Sequence, residues 1–481
     1  MNAAIALGIV AVIVAGTLGI ATLGARGKRV DAAQYVLGGR SFGTLFLWLL
    51  LAGEIYTSFT FLGAAGWAYG KGAPAFYILC YGTVAYVFSY FLLPLIWRVA
   101  RERNLFTGAD FFAAQYGSRR LGSFVAVVGF AFLVPYATLQ LTGVQVLLEI
   151  AGYGSVGSVG AVGIAFALVA AFVYASGLRG TARASVVKDV LVLAAVLFAG
   201  IALPMRFFGS PAGALDRVLA LKPDSLVLGG PGAPNGTTWF VSTVLLTACG
   251  FYMFPQSMAA VYSAGSEEVL RRNAIALPFY QLMLLLVYFA GFSALVVVPG
   301  LQGPAADRSF MLVVQRYYPP WTLGLVAGAG VLAGLIPASA QVLAAASVVA
   351  KNVFLDYGIV KTDAGQTRAT RLLVLVVAAL AFVVWAFAKT TLVGLLLVSY
   401  NGVTQFFPGV VLSFSARSRP SAFAVGAGIA GGLVALAFFA WRGIATVYGI
   451  NIGFAALAVN VAILACAALS RVERSRGYRA L

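Results

Sequence analysis

An all-α integral membrane fold with about thirteen crossings is what this sequence predicts, and three observations predict it. Hydrophobic residues make up 62% of the 481 and charged residues only 10%, whereas soluble domains carry about 25% charge. Apolar runs of spanning length recur from end to end, and a backbone crossing lipid must satisfy its own hydrogen bonds, which selects helices over open sheet. The basic residues are also placed asymmetrically. With the amino terminus outside and thirteen crossings, 24 of the 32 lie in loops on the inner side, and Lys71, Arg206, Arg217, Lys222, Arg308, Arg316, Lys389 and Arg442 make up the remaining 8. The net charge of +18 therefore reports topology through the positive-inside bias and not a nucleic-acid partner.

Taken in order, the first run, 3–24, has neither a basic leading segment nor a small-residue cleavage site, so it is expected to remain as a crossing. Further crossings are expected over 44–68, 75–97, 121–150, 157–176, 186–206, 238–262, 275–299, 321–350, 370–388, 391–413, 421–441 and 446–470. No strand pattern competes. In the loop 98–120, Thr107 is placed to cap a short interfacial helix whose Phe111 and Phe112 would lie against the bilayer. The loop 207–237, rich in Gly and Pro, reads equally as a partial lid or a solvated connector. Ser266 with Glu267 and Glu268 reads as a capped turn. Cys80, Cys249 and Cys466 lie in apolar runs without a CxxC pair, and histidine is absent, which supports neither a disulfide framework nor a zinc site.

The second crossing organises the chain. Glu54 falls near its middle, between Gly53 and the polar run Tyr56-Thr57-Ser58 with Thr60. A charge at mid-membrane depth costs about 2.5–3.5 kcal/mol on insertion scales and has to face a cavity or a partner. Glycine beside hydroxyl residues at that depth predicts a helix that unwinds. The seventh crossing carries a matching break at Gly250 to Ser257, with Tyr252, Pro255 and Gln256. Paired interruptions in corresponding crossings of two inverted halves mark the central site of a secondary transporter.

Other polar groups can be weighed against that pair. Among the acids Glu54 alone reads as deep, with Glu149 and Asp189 near membrane ends; its structural alternative is a protonated acid bonding a neighbouring helix. Tyr136 and Gln140 share one face of the fourth crossing, behind Pro135. The ninth crossing, around Pro337 and Ser339, consists mainly of small residues suited to close helix approach. Ser399 to Gln405 form a polar patch in the eleventh. No Arg or Lys reads as buried at mid-depth, so an anionic solute would be held by half-helix N-termini and backbone N–H groups, which favours a small, singly charged acid.

At this point the segments VLGGRSFGTLFLWLLLAGEIYTSFTFLGAAG, VPYATLQLTGVQVLLE, YASGLRGTARASVVKD, FPQSMAAVYSAGSEEVLRRNAIALPFY and GLIPASAQVLAAASVVAKNVFLDY resemble the sodium:solute symporter family, most closely its monocarboxylate-permease branch. The resemblance runs over nearly the whole chain. It implies a five-plus-five inverted-repeat core of the leucine-transporter kind over the second to eleventh crossings. It implies a sodium site built from the carbonyls of Gly53, Tyr56 and Ala333 and from hydroxyls at the positions held here by Ile336 and Pro337. Neither of those residues has a hydroxyl, so the set is incomplete, with Ser339 the nearest substitute. Gln256 stands where the branch carries histidine.

The expectation is a cation-coupled secondary symporter in a bacterial cytoplasmic membrane, not an enzyme, importing a small organic solute, with a short monocarboxylate first among candidates. Tyr56, Thr57, Thr60, Gln140, Tyr252 and Gln256 are the candidate solute contacts. Gly53, Glu54, Tyr56, Ala333, Ile336, Pro337 and Ser339 are the candidate ion-coupling positions. The coupling cation is sodium or a proton, with no organic cofactor. The expected partition is 1–43 as a peripheral crossing and loop, 44–206 as the first repeat, 207–237 as an outer loop, 238–413 as the second repeat, and 414–481 as two peripheral crossings and a tail. The rival readings are a carrier of the same fold for an amino acid, sugar or vitamin, then a channel, a membrane enzyme or a sensor.

Overall fold

The computed structural model describes residues 1–22, 37, 39–415 and 419–477, without the side chains of 175–179 and 470–477. Arg26, Lys28, Arg29, Arg417 and Arg479, counted above toward the charge bias, lie outside the described residues, as do the side chains of Arg179, Arg471, Arg474 and Arg476. The α-helices of the described residues follow one another in chain order. They are α1 (Asn2–Thr22), α2 (Thr44–Gly53), α3 (Ala64–Lys71), α4 (Tyr77–Glu102), α5 (Gly108–Tyr116), α6 (Arg119–Ala151) and α7 (Ser158–Leu197). Then follow α8 (Leu203–Phe208), α9 (Pro211–Leu221), α10 (Thr237–Gly250), α11 (Pro255–Ser263), α12 (Glu267–Gln281), α13 (Leu284–Val297) and α14 (Ser309–Tyr317). The chain ends in α15 (Pro320–Val349), α16 (Asp363–Phe387), α17 (Leu392–Val403), α18 (Phe407–Ser413), α19 (Ala422–Trp441) and α20 (Ile452–Gly477).

Among the described residues, 10 helical segments are long and apolar enough to cross a membrane, or 11 when α10 and α11 are taken as one bent crossing. The expected count of thirteen differs because α2 and Ser158–Tyr174 are shorter apolar helices. The fifth and sixth expected crossings are joined in one helix of 40 residues, α7, twice the length a crossing needs. Large apolar side chains that remain exposed, such as Phe91, Val190, Leu372 and Phe387, sit on these helices, where lipid is their solvent. α15 is buried almost throughout and packs against α6, α7, α1 and α16, making it the central post of the bundle.

Both expected breaks are present. α2 stops at Gly53, residues 54–57 are not helical, and the chain restarts at Ser58 through a π-helical turn at Phe59–Gly63 into α3. Ten residues of helix rise about 15 Å, half of the hydrocarbon core, so the break lies at mid-depth. α10 stops at Gly250, and α11 restarts at Pro255 with a bend of 50°. Proline suits this first-turn position because its missing N–H would have no helical partner there.

On the side opposite Met1, Thr107 caps α5 as expected, in a reciprocal capping box with Asp110. Phe111 and Phe112 correct the sequence reading. They are 0% and 1% exposed and pack on Phe414 and Phe406, not on lipid. α5 is pinned inward because Asn352 donates to Asp110 at 2.6 Å and Lys351 lies 3.4 Å from the same carboxylate and 2.6 Å from Asp356. Ser266 caps α12, and Glu267 pairs with Arg98 at 2.8 Å. A two-stranded hairpin, β1 (Thr446–Val447) and β2 (Ile450–Asn451), adds a small strand element that the sequence reading omitted. Its turn places Tyr448 and Gly449 at positive φ.

On the Met1 side the 207–237 loop is folded, not open. Ser210 caps α9, and Gly72, at φ 70, lies against the Ser225 carbonyl. Asp307 is 4% exposed, accepts from the Leu392 N–H at 2.8 Å, and presses on Gly66 of α3, where any side chain would collide with it. Burial pushes this carboxyl up to about 7, with the Leu392 amide opposing the shift. An unfolded Asp ionises near about 3.9, so between these values the folded protein holds a proton that the unfolded chain releases, and stability falls as pH rises. Melting in detergent should therefore fall by a few degrees from pH 4 to 7 and then level off. Asp307→Asn should flatten that slope in the same fluorescence-detected melts.

Candidate functional site

The two breaks face each other. Gln256, in the first turn of α11, donates its amide to Glu54 at 3.3 Å across 202 residues of sequence. The opposite end of the break is held by α6, where the Ser58 N–H donates to the Gln140 side-chain oxygen at 3.1 Å and the Ser58 hydroxyl lies 3.4 Å from the Gln140 carbonyl. Ser58 fits because Gly143 and Gly334 flank it, and a Cβ at either would come within 2.4 Å of its side chain. The unwound backbone keeps some of its bonding internal. The Thr57 N–H donates to the Thr60 hydroxyl at 2.8 Å, and the Phe59 N–H donates to the Thr57 hydroxyl at 3.2 Å.

A third glutamine completes the arrangement. Gln341 of α15 is 0% exposed and faces Glu54 without closing a hydrogen bond. Among the described residues, Gln140 Nε2, Gln256 Oε1 and both polar atoms of Gln341 are buried and unpartnered. Buried amides left open cost about 1–3 kcal/mol each unless something binds them. Glu54 itself reaches a cleft of about 20 Å³ lined by Leu50, Gln256, Ala259, Ala340 and Ala344, room for about one water. Two larger cavities, of about 520 and 380 Å³, open on the Met1 side. Between the first of them and the breaks stand Trp67, Tyr77 and Trp239, with ring centroids 5.4–5.6 Å apart. Deeper still, Tyr400 contacts Tyr81 and Phe254, and Phe254 contacts Tyr136. Aromatic rings thus pack above the breaks, and the cleft at Glu54 is small.

The candidate residues thus divide. Glu54, Gln256 and Gln140 converge on the breaks, and Thr57 and Thr60 shape the first one. Tyr56 points its hydroxyl to the Tyr280 carbonyl at 3.2 Å, so its side chain braces α12. Tyr252 lies buried at 4.9 Å from Phe251, with Ser89 facing its hydroxyl. Ala333 and Ile336 are 0% and 2% exposed; Pro337 removes the N–H that would serve the Ala333 carbonyl. Ser339 donates to the Leu335 carbonyl of its own helix at 2.8 Å. In the eleventh crossing, Gln405 bonds the Asn401 carbonyl and Asn460, so that patch joins α17 to α20.

Sequence reasoning missed Gln341 and, more importantly, Lys188 and Asp189 of α7. The reading that no Lys or Arg is buried at mid-depth is corrected. Lys188 is 0% exposed, 2.7 Å from Asp189, and adjacent to Gly53. Both charges fell inside the expected sixth crossing, 186–206, which was the available signal.

The chain can now be set beside known proteins. The sodium:solute symporter family profile matches residues 35–431. A Bacillus subtilis protein described as an uncharacterized symporter, YhjB, is 39% identical over 454 residues, covering 92% of each chain. The monocarboxylate transport permease protein of Rhizobium johnstonii is 28% identical over 449 residues, covering 89% of each. A Na+-coupled sialic acid symporter, solved substrate-bound and outward-open, superposes with a TM-score of 0.79 at 14% identity, covering 97% of both chains. These relatives are transporters, not enzymes. The chain is a multi-pass, cation-coupled carrier with the leucine-transporter-like fold, and it belongs to the sodium:solute symporter family.

Proposed function

We infer that the protein imports a small organic solute, first among candidates a short monocarboxylate, by alternating access across a bacterial cytoplasmic membrane. The observation that carries this reading is the Gln256–Glu54 contact between two interrupted helices, with open amides of Gln140, Gln256 and Gln341 around it. Such amide donors and acceptors, next to helix ends in a small chamber, suit a compact acid better than a dianion, which calls for clustered fixed cations. The monocarboxylate name of the Rhizobium relative supports the same class.

In this reading residues 44–206 and 238–413 are the inverted repeats, and the two segments that bear breaks rock against the rest. The side carrying Met1 faces outward, because the basic loops crowd the other side. Thr57, Gln140, Gln256 and Gln341 hold the solute, and Glu54 links the coupling cation to the closure of α2 upon α11. Tyr56 and Tyr252 support the walls.

Uptake of labelled lactate, pyruvate, acetate and neutral amino acids into proteoliposomes, under separately imposed sodium and proton gradients, tests the proposal. Concentrative uptake of at least one monocarboxylate is expected; amino acid uptake alone would move the substrate class. Glu54→Gln should abolish accumulation against a gradient while leaving solute counterflow. Gln341→Leu should raise the apparent KM of counterflow about tenfold, the loss of one or two amide hydrogen bonds, without altering expression.

A further inference from the structure

The family's coupling sodium does not fit this chain. The resemblance calls for hydroxyl oxygens at positions where Ile336 and Pro337 stand, and neither side chain carries an oxygen. Ser339, the nearest hydroxyl, stands two positions beyond Pro337 and donates to the Leu335 carbonyl of its own helix. Two donors of the set are therefore missing, on the α15 side of the first break.

A side chain fills the other side. Lys188 of α7 brings its ammonium to 3.3 Å from where a Cβ on Gly53 would lie, with the Ser185 hydroxyl 3.8 Å from the same point. Lys188 is 0% exposed, and its ammonium makes no well-aligned hydrogen bond although Asp189 Oδ1 lies 2.7 Å away. Glu54 lies within its Coulombic reach. Tyr280 of α12 faces Asp189 from the other side. α1 and α15, which both pack on α7, contain no acid or base. A buried ammonium is tolerated only with such compensation, and the carboxyl end of α2 adds more, since its last carbonyls carry the negative pole of the helix. A covalently attached cation thus stands beside Gly53, at the end of α2 where the break begins.

We propose that the Lys188 ammonium is a tethered cation in place of the sodium ion, and that this chain neither binds sodium at the first break nor draws on a sodium gradient. The proposal deepens the symport reading and rests on it. α2 and α7 are then held together by Lys188 throughout the cycle's closed form, and the transported cation is a different one.

Two measurements decide it. Binding of radioactive sodium to the purified protein in detergent, with choline as control, should show no saturable component; saturable binding by the wild type would overturn the proposal. In proteoliposomes loaded with labelled pyruvate as probe, a sodium gradient should leave accumulation unchanged, and Lys188→Met should lose accumulation. Because that variant strands Asp189, Lys188→Met/Asp189→Asn is compared with it in gel filtration to separate misfolding from loss of coupling. Sodium-driven accumulation that survives in the double variant would contradict the proposal. Absence of pyruvate uptake would count against the substrate assignment alone, and sodium binding would still decide the role of Lys188.

Discussion

Lipid cannot solvate a charge, and this constraint shapes the molecule. Lys188, paired with Asp189, lies beside the first break and within Coulombic reach of Glu54, where each charge would be prohibitive alone. Their proximity, together with the helix ends created by interrupting two crossings, provides the partners that water would otherwise supply. The breaks are thus more than flexible points. An unbroken second crossing would place Glu54 among bonded backbone groups with nothing free to meet it, whereas ending α2 at Gly53 brings that end of the helix beside Lys188 and leaves room for Gln256 to reach the carboxylate.

The remainder of the fold holds these groups in register while leaving two faces able to move. α15 supplies a rigid, small-residue post, and α6 fixes the second half of the first break through Gln140 and Ser58. Toward Met1 the closure is aromatic and apolar, from Trp67 through Tyr400. On the opposite side the contacts between helices include ion pairs, Arg98–Glu267 and the Asp110, Lys351 and Asp356 cluster. Contacts of these two kinds break without unfolding the helices that bear them, as alternating access needs.

Much of this was legible from composition and punctuation. Hydropathy gave the class. Gly53 and Pro255 gave both breaks, because a glycine–acid pair and a proline inside apolar runs each leave backbone groups that a continuous helix cannot satisfy. The Thr107 cap was equally plain. What escaped depended on which neighbour a side chain meets. Phe111 and Phe112 have the composition of a lipid-facing pair, yet Phe414 and Phe406, some 300 positions later, cover them. Lys188 and Asp189 stand at the start of the expected sixth crossing and so read as charges near a membrane end; α7 instead continues helically through that point, and both side chains are buried. Gln341 sat in a run of alanines and serines whose evident role was packing, and nothing local marks it as facing Glu54.

Transport of the kind proposed requires that the chamber between the two breaks open to one side at a time. In a background lacking Cys80, Cys249 and Cys466, single cysteines at Ala344→Cys, beside the Glu54 cleft, and Ala306→Cys, in the Met1-side cavity, report on the two routes. Labelling rates with a membrane-impermeant maleimide, measured in open membrane sheets with and without pyruvate, should shift in opposite directions at the two sites. Rates that rise together, or that do not respond at either site to any solute the protein transports, would contradict alternating access.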